Sequence, residues 1–278
     1  MTLLKTENLC YSFDGHKDTL KNISVEINKG EKIAVIGNNG AGKSTFFLCL
    51  NGVLETDGSI WLNGKKILGK KGFEGLRRAT GIVFQDADSQ IIASTVKAEV
   101  AFGVMNLQLE KNEVLRRTEE AMEKMSITNL CSRPPHYLSG GEKRRVVIAD
   151  IIAMEPEIFI FDEPEASLDP ENMEVLENVL ESIGNEEKTI LMSTHDMDFA
   201  LKWADRAIVF SEGEIIADDT TEKIFTNDEL LKRAGLKKPM IYQIMDVVGY
   251  AERLPKNIDD LKTLLKEKLN EKQRNISG

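Results

Sequence analysis

The sequence predicts an α/β protein. A parallel sheet is covered by helices on both faces, with an N-terminal antiparallel β-subdomain before it, a helical subdomain inserted within it and a C-terminal helical appendage after it. Three observations carry this reading. The short apolar runs Ile33–Ile36, Ile82–Phe84, Ile158–Phe161, Thr189–Met192 and Ala207–Phe210 lack alternation, the mark of strands buried on both faces. Helical patterns fall between them, at Lys43–Asn51, Glu113–Met125, Glu142–Met154 and Glu171–Ile183. The opening segment instead reads as turn-linked β structure.

In chain order, Thr2–Tyr11 and Leu20–Ile27 are strand-like runs separated by the turn signal Asp14-Gly15. Ser59–Ile67 reads as a hairpin, because Asn63-Gly64 supplies the two positive-φ positions of a type I′ turn. From about Asp86 to Glu155 the pattern is helical with no clear strand, which marks an insert in the α/β core. The texture changes near Thr220. Asn227–Ala234, Met240–Val248 and Asn257–Leu269 read as separate helices divided by Gly235, Pro239, Gly249 and Pro255. The chain thus divides into a core over residues 1–225 and a helical region over 226–278. The last helix sets Ile258, Leu261, Leu265 and Leu269 along one face, either to pack on the chain's own core or to meet a second subunit. Residues after Glu271 are polar and are expected to fray.

The 278 residues give ample length for a buried core. Lys and Arg number 36 against 46 Asp and Glu, a formal charge of −10 with the wrong sign for a whole-surface nucleic-acid binder. No stretch approaches the roughly 18 apolar residues that span a bilayer, and the N-terminus lacks a signal-peptide core. Cys10, Cys49 and Cys131 are widely spaced without a metal-ligand pattern; they read as reduced thiols, so a cytoplasmic protein is expected.

Gly37-Asn38-Asn39-Gly40-Ala41-Gly42-Lys43-Ser44 fits G-x-x-x-x-G-K-[ST], after an apolar strand and before a helix, with Thr45 next in line. Glycines let backbone N–H groups curl around phosphate oxygens, and the helix adds its positive end. Lys43 then reaches the β- and γ-phosphates and the Ser44 hydroxyl ligates Mg²⁺. Ile158–Phe161 runs into Asp162-Glu163, a pair of carboxylates that is costly after a buried strand unless a cation or water faces it. Asp162 is the candidate for holding Mg²⁺ through water, and Glu163 for orienting or deprotonating an attacking water. Gln85 follows Ile82–Phe84 and His195 follows Thr189–Thr194, so four polar features meet at the C-terminal ends of strands, where open α/β sheets bind ligands. Alone, His195 would be a structural histidine; in this company it reads as a γ-phosphate contact.

Leu138-Ser139-Gly140-Gly141-Glu142 precedes the helix Lys143–Met154. Ser139 and Glu142 form S-x-x-E, a capping box, while Gly140 and Gly141 bare N–H groups at a positive helix end. In combination and order these motifs resemble the ATP-binding-cassette ATPases, a P-loop NTPase family, from about Leu3 to Ile224. The resemblance implies that Gly37–Ser44 is the Walker A loop, Gln85 the Q-loop residue and a Mg²⁺ contact, and Leu138–Glu142 the signature. It likewise implies that Asp162 and Glu163 are the Walker B pair, Ser167-Leu168-Asp169 the D-loop and His195 the switch histidine. Phe13, or less well Tyr11, matches the aromatic that stacks on adenine; a core aromatic is the other reading of Phe13. ATP and Mg²⁺ are the implied cofactors. Cassettes of this family close head to tail, so one Walker A loop and one signature imply a second ATPase subunit, identical or paralogous. Glu142 stands where the family has Gln, and Glu165 and Ser167 where it has Thr and Gly, which changes the contacts expected across that dimer.

Gly81–Gln90, Thr95-Val96 and Val100-Ala101-Phe102-Gly103 more narrowly resemble the energy-coupling-factor importers, cobalt importers among them; Gln90 and the Ala-Phe-Gly run are the telling pieces. The helical tail resembles that group's C-terminal dimerisation region. This implies an ATP-hydrolysing motor for micronutrient uptake, peripheral on the cytoplasmic face of a membrane. Its implied partners are integral membrane transport subunits, with no nucleic acid. Asp86, Asp88 and Glu99 are then candidates to receive a basic coupling helix. One competing reading is a soluble cassette ATPase acting on nucleic acid or ribosomes; the net charge and the lack of a coiled-coil insertion or second cassette argue against it. The other is an ATP-binding regulatory subunit, against which Glu163 and His195 stand.

Overall fold

The computed structural model describes residues 1–13, 18–166, 168–249 and 254–277. β1 (Thr2–Tyr11) and β2 (Leu20–Asn28) pair antiparallel; the turn signal Asp14-Gly15 between them lies outside the described residues. β3 (Lys32–Gly37) enters a second sheet and leads into α1 (Lys43–Asn51). β4 (Asp57–Leu62) returns beside β1 and meets the short β5 (Lys65–Lys66) across Asn63-Gly64, whose φ angles of 49° and 73° are the two left-handed positions. After α2 (Gly69–Ala79) and β6 (Thr80–Val83) comes the insert, with α3 (Ala87–Gln90), α4 (Val96–Met105), α5 (Lys111–Lys124) and α6 (Gly140–Met154) and no strand between them. The core resumes with β7 (Ile158–Asp162), α7 (Pro170–Asn185), β8 (Thr189–Ser193), α8 (Met197–Trp203), β9 (Arg206–Ser211) and β10 (Glu214–Thr220). The final helices are α9 (Thr221–Phe225), α10 (Asp228–Ala234), α11 (Met240–Val248) and α12 (Ile258–Ser277).

The larger sheet runs β10-β9-β3-β8-β7-β6; its members pair parallel except for β10, which lies antiparallel on β9 at the edge. Alternate residues of one strand serve different cores. In β3, Ile33 and Val35 pack with Phe46 and Phe47 of α1 and with Leu4 and Ile23 of the first sheet, whereas Ala34 and Ile36 pack with Ala200, Phe225 and Tyr242. In β7, Ile158 and Ile160 join the first of these groups, and Phe159 and Phe161 pack with Val100 and Val147 of the insert. Coverage on both faces is why these strands read as unbroken apolar runs.

β10 and α2 are among the elements that go beyond the sequence reading. β10 carries Glu214, Asp218 and Asp219, as suits an edge with one face toward water. α2 holds Gly72 and Gly75 in its interior, which depresses its helix signal. Past Thr226 the helices are firmly seated: Leu231, Ala234, Ile241 and Tyr242 are buried against the sheet. In α12, Leu261 is buried whereas Ile258 is 51% exposed, so the predicted apolar face docks only in part; the Leu269 side chain lies outside the described residues. The backbone stays helical through Ser277, past the point where fraying is expected.

Within the insert, Asp150 of α6 accepts a hydrogen bond from the Gly103 N–H of α4 at 3.1 Å. The helices cross so closely there that a Cβ on Gly103 would lie 2.9 Å from the Asp150 carboxyl. Burial pushes the Asp150 pKa from 3.8 to about 7, with the Gly103 bond opposing and Glu99 adding to the rise. The folded protein thus keeps a proton that the unfolded chain releases, so this group's contribution to stability falls as pH rises from about 4 to about 7. Asp150→Asn retains the acceptor and removes the titration. Scanning calorimetry should therefore find the variant gaining on the wild type as pH is raised across that interval; a pH-independent difference would show that Asp150 does not titrate there.

Candidate nucleotide-binding site

The strands β3, β8, β7 and β6 are neighbours in that order. Loops from their C-terminal ends enclose a pocket of about 390 Å³ lined by Asn39 through Thr45 together with Gln85, Glu163, His195 and Thr19, the last not singled out from the sequence. Glycine is required at two places in the loop. A Cβ on Gly37, where φ is 151°, would run into the Phe210 carbonyl oxygen, and one on Gly42, where φ is 105°, would press on Leu20 and the Thr19 carbonyl. The chain therefore turns from β3 into α1 with bare backbone, as an anion cradle needs. Lys43 is buried, and its amine donates to Gly37 O at 2.8 Å and Asn38 O at 3.2 Å. Burial lowers its pKa, while Glu163 and Asp162 pull it back up. Ser44 is exposed and lines the pocket; Asn38 is turned toward Gly235, at the end of α10.

Asp162 ends β7, buried, with its Oδ1 accepting a hydrogen bond from Ser193 Oγ at 2.6 Å. Ser193 is its ladder partner on β8, and the same hydroxyl accepts from the Glu163 N–H at 2.9 Å. Glu163 holds a left-handed φ of 48°, a conformation that costs a residue with a Cβ about 1 kcal/mol or more. Its N–H also reaches the Ser193 carbonyl at 3.2 Å, which anchors that turn. The Glu163 carboxylate bridges two partners: His195 Nε2 lies 2.6 Å from Oε1, and Gln85 Nε2 donates to Oε2 at 2.7 Å. Gln85 is supported from behind. Arg144 donates to Phe84 O at 2.7 Å and to Gln85 O at 2.5 Å, while Gln90 accepts from Phe84 N–H and donates to Ile82 O, each at 3.0 Å. Arg144 and Ser193 escape sequence reasoning because neither belongs to a motif with a chemical signature. A second pocket, of about 610 Å³, shares Glu163 and His195 as wall and is completed by residues such as Glu165, Lys237 and Gln243.

Other candidates stand apart. None of Ser139, Gly140 and Gly141 lines the phosphate-loop pocket; Gly140 borders a different one with Asp86 and Lys143. The capping box is formed: Ser139 N–H donates to Glu142 Oε2 at 2.7 Å and Glu142 N–H to Ser139 Oγ at 3.3 Å, and the first bond holds the Glu142 pKa down. Phe13 is 48% exposed, edge-on to Tyr11 at 4.8 Å and outside the pocket wall, which excludes the core reading. Glu99 corrects an expectation: it is buried, with Oε2 accepting from the N–H groups of Ile92 and Ala93, and offers no surface charge to a partner. Asp88 pairs with Lys143 at 2.5 Å, and Asp86 caps α3. Ser167 lies outside the described residues; Asp169 caps α7.

The Ser44 hydroxyl, Gln85 amide and Asp162 carboxylate are hard oxygen donors of the kind that suits Mg²⁺. Among the described residues no group of three or more His, Cys, Asp and Glu forms a metal site by itself. An ion here would rely on phosphate oxygens and water as well.

The ABC transporter family is matched over residues 20–166. The energy-coupling factor transporter ATP-binding protein EcfA of Carboxydothermus hydrogenoformans is 39% identical over 95% of this chain and 97% of its own length. Two other relatives are longer, and the chain spans 61% and 60% of them. Among solved structures, cbiO1 of Clostridium perfringens, part of the ABC transporter complex cbiONQ, aligns with a TM-score of 0.73 at 36% identity, over 88% of this chain and 99% of that one. The ATP-binding cassette MJ0796, dimeric in a post-hydrolysis state bound to ADP and Pi, aligns with a TM-score of 0.71 at 25% identity, over 79% and 99%.

Lys43→Ala deletes the amine while leaving the glycine turns in place. Titration calorimetry should register an ATP affinity at least about tenfold weaker, the loss expected for a charge-assisted bond of about 1.5–3 kcal/mol; wild-type affinity would remove Lys43 from the phosphate contacts.

Proposed function

The chain belongs to the ABC transporter family of ATP-binding cassettes, and from that premise we propose that it is the ATP-hydrolysing subunit of an energy-coupling-factor type importer. The observation that carries this reading is Glu163 and His195 meeting 2.6 Å apart beside the phosphate loop. A subunit that only bound ATP would need neither.

In this reading Lys43 and the backbone of Gly37–Ser44 hold the β- and γ-phosphates, with Thr45 following in α1, and Phe13 stacks on adenine. Ser44 and Gln85, with Asp162 through water, would hold Mg²⁺, which would neutralise phosphate charge. Glu163 orients the attacking water and takes its proton; His195 donates to the γ-phosphate. Both Glu163 oxygens are engaged, by His195 and by Gln85. An arriving γ-phosphate offers His195 a competing acceptor, and the exchange frees Oε1 for the water.

Ser139, Gly140 and Gly141 lie outside their own chain's pocket. They are proposed to face the nucleotide of a second cassette, identical or paralogous, in a head-to-tail pair. Residues 226–278 form the helical appendage of the 1–225 cassette and contribute to that pairing. Among the described residues no helix is long and apolar enough to cross a membrane. The spans belong to integral partner subunits, at whose cytoplasmic face this chain docks, and those partners recognise the solute, a micronutrient such as cobalt ion.

Glu163→Gln should bind ATP normally yet hydrolyse it at least about 100-fold more slowly in the assembled complex, the scale of a lost general base; persistent turnover would relieve Glu163 of that role. Affinity purification from native membranes examines the transport assignment. Integral membrane subunits should co-purify, and recovery of ribosomes or DNA in their place would overturn it.

A further inference from the structure

We propose that Glu165 is a positioning residue for the hydrolysis described above: its side chain grips the Thr194 hydroxyl and so fixes the backbone from which His195 reaches Glu163. This rests on the roles assigned to Glu163 and His195. Residue 165 is a carboxylate at a position where the family resemblance leads one to expect threonine, and its contacts explain what the longer side chain does.

Thr194 Oγ1 donates to Glu165 Oε1 in a close hydrogen bond, and the same hydroxyl accepts from the Asp196 N–H at 2.9 Å. Asp196 in turn caps α8 by accepting from the Phe199 N–H at 2.9 Å. His195 therefore sits between two anchored neighbours, one of them, Thr194, fully buried. The imidazole itself has 40% of its side chain exposed, so its aim depends on its backbone more than on packing. An aim that is wrong by about 1 Å is enough to lower a rate substantially.

Glu165 lines the second pocket but not the one around the phosphate loop. It acts through Thr194 and does not touch nucleotide. Its other oxygen, Oε2, is buried without a hydrogen-bond partner among the described residues, a situation far less costly for a neutral carboxyl than for an anion. Burial accordingly raises the Glu165 pKa, against the Thr194 hydroxyl and the N–H groups of Glu165 and His195, which lower it, while Glu163 adds to the rise. A glutamine would keep the Oε1 acceptor in the same shape; an alanine would leave the Thr194 hydroxyl without its acceptor.

The test uses the full chain with Glu165→Ala, Glu165→Gln, Thr194→Val and the Glu165→Ala/Thr194→Val double variant. The ring nitrogen resonances of His195 are followed by NMR, with those of His136 as an internal control, and ATP hydrolysis is measured in the assembled complex. Glu165→Ala and Thr194→Val should each move the His195 resonances and lower kcat by about tenfold at an unchanged KM for ATP. The double variant should be no worse than Thr194→Val alone, because that substitution already removes the hydroxyl that Glu165 holds, together with the acceptor of the Asp196 N–H. Glu165→Gln should restore both readouts, and His136 should not respond. Unmoved His195 resonances, additive effects or an unchanged kcat would overturn the proposal. Should Glu165→Ala fail to fold, Thr194→Val against Glu165→Gln decides the same question. A wild-type complex that hydrolyses no ATP would instead sink the ATPase reading, and the NMR comparison would still decide whether Glu165 sets the position of His195.

Discussion

The parallel register of β7 on β8 sets Asp162 opposite Ser193, and the geometry of the site follows from that one alignment. The Ser193 hydroxyl donates to Asp162 and accepts from the Glu163 N–H, so a single strand residue orients both acids. A slip of one residue would send that hydroxyl to the opposite face of the sheet. Asp162 would lose its donor, Glu163 would lose the anchor of its left-handed turn, and His195 would no longer rise beside it. β8 pairs on its other edge with β3, the strand that delivers the phosphate loop. A short, wholly buried strand thus holds the cradle on one side and the acids on the other.

Much of this frame is legible in the sequence. Unbroken apolar runs mark β3, β6, β7, β8 and β9 because burial on both faces erases alternation, and the glycine pattern before Lys43 marks a turn that side chains could not make. What a linear motif cannot convey is which strand ends become neighbours. Gln85 and Glu163 are 78 positions apart and bonded. Ser193 and Arg144 leave no signal at all, since a hydroxyl in a strand or an arginine in a helix has many ordinary uses. Glu99 shows the opposite failure: an acidic residue is expected at the surface, yet two backbone N–H groups claim it once α4 folds. Edge strand β10 stays hidden because an edge tolerates the polar residues that argue against a strand.

The helices beyond Thr226 share a core with the sheet through Tyr242 and Ile241, and the Met240 N–H donates to Asp198 of α8 at 2.7 Å. They are mounted on the element that carries His195 at its head. The start of α6 is arranged in the opposite sense, with Ser139 and Gly140 exposed and outside the wall of the phosphate-loop pocket. One region is bound into the cassette; the other is exposed and complete as a helix cap.

β3 sits between β8 and β9, pairing Ile33 with Leu191 on one side and Arg206 on the other, and Asn38 leans on Gly235. Contacts of such separation close late, because the intervening chain must first be gathered. Synthesis delivers the N-terminus first. A growing copy therefore displays the letters of its nucleotide motif long before the strands that give those letters a shape. A copy interrupted before β8 and β9 carries the motif without the two strands that flank β3, so the letters of the cradle precede its frame.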